Sequence, residues 1–149
     1  MRVLERLDEL YAIGGGPGAN RPGYSPAEDE AHRLAAGWMR DAGLEVGVDD
    51  AGNLIGRRGE ARVWSGSHLD TVPNGGRFDG ALGVVAALEV ASRTDLPLAV
   101  VAFRDEERGF GGSLARVGRG PLPEAYLEAH VEQGPVLLRM GAPLGVVPA

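Results

Sequence analysis

The sequence predicts an α/β layered domain, and three observations carry that expectation. Segments with apolar residues at helical spacing alternate with short apolar segments of strand length. The segment Leu98 to Arg104 is continuously apolar at its centre, as strands buried in a mostly parallel sheet are. Turn signals rich in Gly, Asp and Asn separate the segments, in a chain that holds 24 glycines.

Met1 to Ile13 places Val3, Leu4, Leu7, Leu10 and Tyr11 on one helical face. Gly14-Gly15-Gly16-Pro17-Gly18 ends that helix and opens a loop to about Tyr24. Ser25-Pro26-Ala27-Glu28 then reads as an N-cap, a proline at the first helical position and an acidic first turn. This second helix runs through Trp38 and Met39 to Asp41 and stops at Ala42-Gly43. His32 falls on its solvent face as an ordinary exposed histidine. Leu44 to Val48, Asn53 to Gly56 and Arg62 to Ser67 are expected strands, with Arg57-Arg58 in a solvated turn. Gly80 to Thr94 is a long apolar helix buried on more than one face. Leu98 to Arg104 and Tyr126 to Glu132 are buried strands, and Leu144 to Val147 a short apolar end.

Composition narrows the function. The chain has 149 residues, 44% hydrophobic and 24% charged, enough for one domain with a core. No apolar run is long enough to span a bilayer. A net charge of −6 gives no general attraction to nucleic acid or an anionic membrane. The start of the chain lacks an apolar export signal, so the expected location is cytoplasmic. There is no cysteine, so any metal must be held by His, Asp and Glu.

Three places put such residues at the ends of expected strands, where open α/β sheets build their sites. In Gly66-Ser67-His68-Leu69-Asp70-Thr71, His68 and Asp70 lie two apart and can face the same way. An imidazole that binds metal usually donates its other ring proton to a carboxylate, and Asp70 is placed for that. In Gly75-Gly76-Arg77-Phe78-Asp79-Gly80, Asp79 stands at the mouth of a helix between glycines, and its two oxygens can bridge two ions. In Phe103-Arg104-Asp105-Glu106-Glu107, adjacent acids can divide metal binding from proton transfer. Each motif alone has a plain structural reading: a satisfied histidine, a helix N-cap, a solvated acidic run. Their order in one chain is harder to reach by accident.

These motifs, followed by Ala129-His130-Val131-Glu132-Gln133-Gly134-Pro135, resemble those of the dinuclear metal amidohydrolases related to aminoacylase and carboxypeptidase G. The last motif is similar to the branch containing N-carbamoyl-L-amino-acid hydrolase, allantoate amidohydrolase and β-ureidopropionase. Arg21 to Ser25 and Asp50 to Leu54 also fit that branch. The resemblance implies a three-layer α/β/α zinc-hydrolase-like domain with a mostly parallel mixed sheet. It implies that His68 and His130 bind one metal, Glu107 the other, and that Asp79 bridges them. Glu106 would be the general base for metal-activated water, Asp70 would orient His68, and Gln133 would lie near the substrate. The cofactor would be zinc, with manganese, cobalt or nickel as alternatives. The substrate would be a small N-carbamoyl or ureido compound.

The chain also departs from the family. The resemblance implies a chain more than twice as long, with an inserted dimerisation domain after the point where this one reaches Pro148-Ala149. Residues 1–149 are therefore expected to form a single, partial catalytic domain. The family supplies a further histidine to the ion held by Glu107, and only three histidines are present here. One complete ion site, His68, Asp79 and His130, is expected, with a second held only by Asp79 and Glu107. The segment from Glu107 to His130 is short, and Arg108 stands where the family has glycine. Self-association or a complementing chain is expected. The alternative to an active hydrolase is an inactive single-metal-binding domain, or a fragment that binds no metal.

Overall fold

A computed structural model describes residues 2–117 and 122–148; Met1, where the first helix was expected to start, and Ala149 lie outside them. The helices are α1 (Arg2–Ala12), α2 (Pro26–Asp41), α3 (Ala81–Ala91), α4 (Gly111–Val117) and α5 (Val136–Met140). The strands are β1 (Glu45–Val48), β2 (Leu54–Arg58), β3 (Val63–His68), β4 (Leu98–Phe103) and β5 (Ala125–Leu127). They form one mixed sheet in the order β1-β2-β4-β3-β5. Both pairings of β3, with β4 and with β5, are parallel, while β1–β2 and β2–β4 are antiparallel.

The period-2 alternation of strand side chains divides β4 between two layers. Leu98, Val100 and Ala102 join α1, α2 and α3 in the larger core, with Leu7, Leu10, Met39, Leu69, Val84 and Leu88. Each large side chain fully buried there contributes roughly 1.5–3 kcal/mol. Ala99, Val101 and Phe103 face the other way with Ile55 and Trp64. On that side lies α4, whose Arg116 stacks over Trp64. The two layers are unequal: three helices cover one face and one short helix the other.

Local chemistry explains the element ends. Ser25 caps α2, its Oγ accepting the amide of Glu28 (3.3 Å), and Pro26 starts the helix as expected. α3 stops at Ala91, earlier than the apolar pattern implies. Gly83 lets α3 press against β3, since a Cβ there would lie 2.6 Å from Ser67 Cβ and 2.9 Å from Ala129 O. Among the described residues no helix is long and apolar enough to cross a membrane.

Four expectations need correction. The strand expected over Tyr126 to Glu132 is only Ala125–Leu127, and all three residues are exposed. Among the described residues its one strand neighbour is β3, and its outer edge is unpaired. Leu144 to Val147 forms no regular element and is exposed. Arg58 is not in a solvated turn; it ends β2 and donates to carbonyls at the C-terminal ends of two helices. His32 is buried, at 8% exposure, because α2 turns that face onto Arg104 and the Glu28 carboxylate rather than outward.

Candidate metal centre

The three parallel strands end on the same side of the sheet, and the residues singled out from the sequence lie at those ends. His68 is the last residue of β3, Glu106 and Glu107 follow β4, and His130 follows β5. Asp79 precedes α3, the helix that connects β3 to β4. Asp79 thus lies in the loop that leaves the carboxyl end of β3, the usual place for a ligand crevice, and the β3–α3–β4 crossover brings Glu106 and Glu107 to the same end of the sheet.

His68, Asp79 and His130 each offer a ligand atom within 4.8 Å of the others. Among the described residues they make the one such group. Hydrogen bonds set the tautomers of both imidazoles. His130 Nδ1 is 2.9 Å from the Val131 carbonyl, which can only accept, so Nδ1 is the donor there and Nε2 is the ring nitrogen that faces the group. His68 Nδ1 faces Asp70 in the same way, 3.1 Å from its carbonyl and 3.2 Å from Oδ1, leaving Nε2 free. His130 Nε2 lies 3.3 Å from Asp79 Oδ1, and the two rings are 6.2 Å apart.

A divalent cation fits these residues. Asp79 Oδ1 is buried and makes no hydrogen bond, with His130 Nε2 3.3 Å away, and a buried carboxylate oxygen is costly to leave so unless a positive charge stands beside it. Two imidazoles, which bind an ion in their neutral form, and a carboxylate make a three-ligand set with room for a fourth. Gly80 shapes the cradle. Its φ of 62° favours glycine, and a Cβ there would come within 2.6 Å of the His68 ring.

The remaining expected residues surround this group. Burial pushes the Glu107 carboxyl above the usual range. His68 opposes that shift, and Asp79, with which Glu107 shares a hydrogen bond, adds to it. Burial also raises Glu106, against a hydrogen bond from Ser113 Oγ (3.0 Å) and the pull of His68. Glu106 and His68 border a cavity of about 370 Å³ floored by Trp64, Phe103 and Tyr126. Gln133, expected near the substrate, donates to Asp79 Oδ2 (2.6 Å). It thereby holds the Asp79 oxygen that does not face His130.

Three site-supporting residues carried no signal of that role in the sequence. Arg21 is fully buried and donates to the carbonyls of Leu10 and Leu69, each at 2.7 Å; burial lowers its pKa to about 10. It ties α1 to the segment between His68 and Asp70. Asn53 and Glu28 are also fully buried, and both grip the loop that bears Glu106 and Glu107. The sequence touched all three without giving these roles: Arg21 and Asn53 fall in the stretches Arg21 to Ser25 and Asp50 to Leu54 that fit the resemblance, and Glu28 in the Ser-Pro-x-Glu pattern read as a capping signal.

Residues 64–147 match the model described as Peptidase family M20/M25/M40. The chain belongs to that family. Divalent-metal dependence goes with the family, and the His68, Asp79 and His130 group is where this chain can meet it. The chain is 38% identical to an N-carbamoyl-L-amino acid amidohydrolase of Geobacillus stearothermophilus, covering 98% of itself and 49% of that protein. It is 33% identical to a probable allantoate deiminase of Oryza sativa subsp. japonica, covering 95% and 41%. A hydantoinase/carbamoylase family amidase from Burkholderia ambifaria superposes with a TM-score of 0.78 at 34% identity, over 94% of this chain and 47% of that one. The mixed sheet with its helices is therefore the α/β fold of these neighbours. The chain spans about half the length or less of these relatives. The first alignment runs over 201 positions against 149 residues here, so that relative carries internal positions with no counterpart in this chain.

Proposed function

We propose that this chain acts in metal-dependent hydrolysis of N-carbamoyl amino acids or related ureido and amide C–N bonds. The observation that carries the reading is the convergence of His68 and His130 on the buried Asp79 Oδ1, which makes no hydrogen bond. His68 Nε2, His130 Nε2 and Asp79 would hold one divalent cation, zinc by the nature of the donors, with manganese, cobalt or nickel accepted by the same set. Asp79 and Glu107 would hold a second more weakly. Bound there, a divalent cation supplies Lewis acidity toward a carbonyl oxygen and acidifies water.

The chain's own residues do the rest. Glu106, its carboxyl made more basic by burial, would take a proton from water and deliver it to the departing nitrogen. Ser113 donates to Glu106 Oε2 and fixes the carboxylate. Asp70 holds the His68 ring in the tautomer that frees Nε2. Gln133 fixes Asp79. The cavity beside Glu106 would receive the substrate, with its aromatic floor under the apolar part. The open edge of β5 and the exposed side chains Leu127, Leu138 and Val147 make a second copy or a complementing chain the expected partner.

Metal analysis and an amino-acid release assay test this reading. The purified chain should hold about one ion, lost in His130→Ala, and free amino acid should appear from an N-carbamoyl-L-amino acid unless Glu106 is replaced by Ala. One bound ion without turnover, alone or with a complementing chain, assigns the alternative of a single-metal-binding domain. No bound ion removes both.

A further inference from the structure

Glu28 is an acid in the first turn of α2, a position where carboxylates normally sit in solvent facing the helix dipole. Here it is fully buried, and it bridges two loops distant in sequence. Its Oε2 accepts the amide of Tyr24 (2.5 Å) and its Oε1 the amide of Asp105 (3.0 Å). Both donor residues have left-handed backbones, φ 56° at Tyr24 and 52° at Asp105, though neither is glycine. Such residues persist only where their surroundings over-determine them, and they gather at functional loops. One carboxylate thus holds two strained residues, the second of them just ahead of Glu106.

The hold continues along the loop. Four consecutive amides each meet the side chain of a fully buried residue. Arg104 N donates to Asn53 Oδ1 (3.0 Å), Asp105 N to Glu28, Glu106 N to Asp70 Oδ1 (3.1 Å) and Glu107 N to Asp70 Oδ2 (3.0 Å). Asn53 also receives the loop's far end, donating to Gly112 O (3.0 Å). Arg104 closes the network, its Nε 3.2 Å from Glu28 Oε2 and its guanidinium over the Tyr24 ring. Acceptors that only filled the core would serve scattered groups. These converge on the segment that carries the two acids, Glu28 linking it to Tyr24 and Asp70 linking it to His68.

We infer that Glu28, together with Asn53, is a positioning residue: through the backbone of Arg104 and Asp105 it sets the direction in which Glu106 and Glu107 face His68 and Asp79. This rests on the reading of those residues as a hydrolytic metal site, but its first test does not. Amide hydrogen exchange is followed by NMR on the metal-free full chain. Glu28→Gln replaces one acceptor oxygen by a donor and should lower protection of the Asp105, Glu106 and Glu107 amides by about tenfold or more. The amides of Val100 to Ala102 in β4 should not change. Glu28→Asp, which keeps the charge beside Arg104 but draws the carboxylate back by one methylene, should give the same local loss if Glu28→Gln does not fold. Equal loss throughout β4, or no change at Glu106 and Glu107, overturns the inference.

Cobalt(II) titration followed by visible absorption adds a second readout. Glu28→Gln should alter the cobalt band in the same sense as Glu107→Gln. A band changed by Glu107→Gln and untouched by Glu28→Gln also overturns the inference. If the unmodified chain binds no cobalt, it is the metal reading that fails, and the exchange data still decide the role of Glu28.

Discussion

Asp70 stands behind His68, its Oδ1 3.2 Å from the imidazole Nδ1. The same carboxylate receives the amides of Glu106 and Glu107, so the end of β3 and the loop after β4 share one fully buried acceptor. Burial alone would raise Asp70, but His68 and the two amides outweigh it and hold the carboxyl below its ordinary range. Burial alone would lower His68, and Asp70 outweighs that in turn, leaving the imidazole above its ordinary range. The two shifts act oppositely on stability. Asp70 contributes above its unfolded value and loses that contribution as pH falls, while His68 contributes below its unfolded value and loses it as pH rises.

Asp70→Asn keeps the shape but turns one acceptor into a donor that faces an N–H. Unfolding in urea should show a loss of about 2–4 kcal/mol, the range for breaking a buried charge-assisted network. With Asp70 neutralised, burial dominates at His68, and its NMR titration midpoint should move down. Metal affinity should fall about 10–100-fold, as when other partners of metal-bound imidazoles are removed. An unchanged His68 midpoint would show that the pair is not coupled.

Gly80→Ala tests the cradle. The substitution forces a Cβ onto a φ of 62° and against the His68 ring at 2.6 Å and its carbonyl at 2.5 Å. A loss of at least about 2 kcal/mol is expected, with weakened cobalt or zinc binding. Gly76→Ala, four residues earlier, meets nothing within 4 Å and should cost no more than about 0.5 kcal/mol. Equal effects at the two positions would mean that His68 is not packed on Gly80.

The site was legible where its chemistry is local. His68 with Asp70, Asp79 between glycines and His130 before Gln133 each sit in a short motif at an element end, and the fold brings the three metal-ligand candidates together. Ser25 and Pro26 announced α2 by capping chemistry alone. What failed depends on partners far away in sequence. Glu28 looks like a dipole acid until Asp105 arrives from 77 residues further on. His32 looks exposed because nothing near it in sequence says which face of α2 meets Arg104. Tyr126 and Leu127 look buried because they are apolar, yet burial requires a neighbour, and among the described residues β5 pairs only with β3.

His32 gives a pH prediction with a definite sign. Burial first, and the charge of Arg104 second, lower its pKa from 6.5 to about 3. The folded chain keeps the ring neutral at pH 5, while the unfolded chain protonates it. Unfolded protein therefore binds more protons below pH 6.5, and stability drops as pH falls from there toward 3. Between pH 7.5 and 5 this one residue should account for about 2 kcal/mol of lost stability. His32→Gln removes the linkage, so the gap between the two proteins in urea unfolding should narrow by that amount at pH 5. A constant gap would show that His32 titrates alike in both states.

Arg58 ties the site's two flanking helices together at their far ends. Its Nη1 donates to Ala91 O (3.1 Å) and to Thr94 O, and its Nη2 to Ala91 O (3.2 Å) and to Ala42 O. Ala42 ends α2 and Ala91 ends α3, so one guanidinium satisfies carbonyls that helix ends leave unpaired and places a cation at both negative poles. Arg58→Met keeps the stem and removes the donors, with an expected cost of about 2 kcal/mol or a Tm lower by about 4–8 °C. Lysine should recover only part of this, because an ammonium cannot span two helix ends. Arg57→Met is the control: that exposed side chain stacks on Trp64 at 5.0 Å and should cost under about 1 kcal/mol. Equal losses at 57 and 58 would reduce the clamp to surface packing. Because α2 carries Glu28 in its first turn and α3 begins beside Asp79, loosening their common anchor should also weaken cobalt binding at a site that Arg58 never touches.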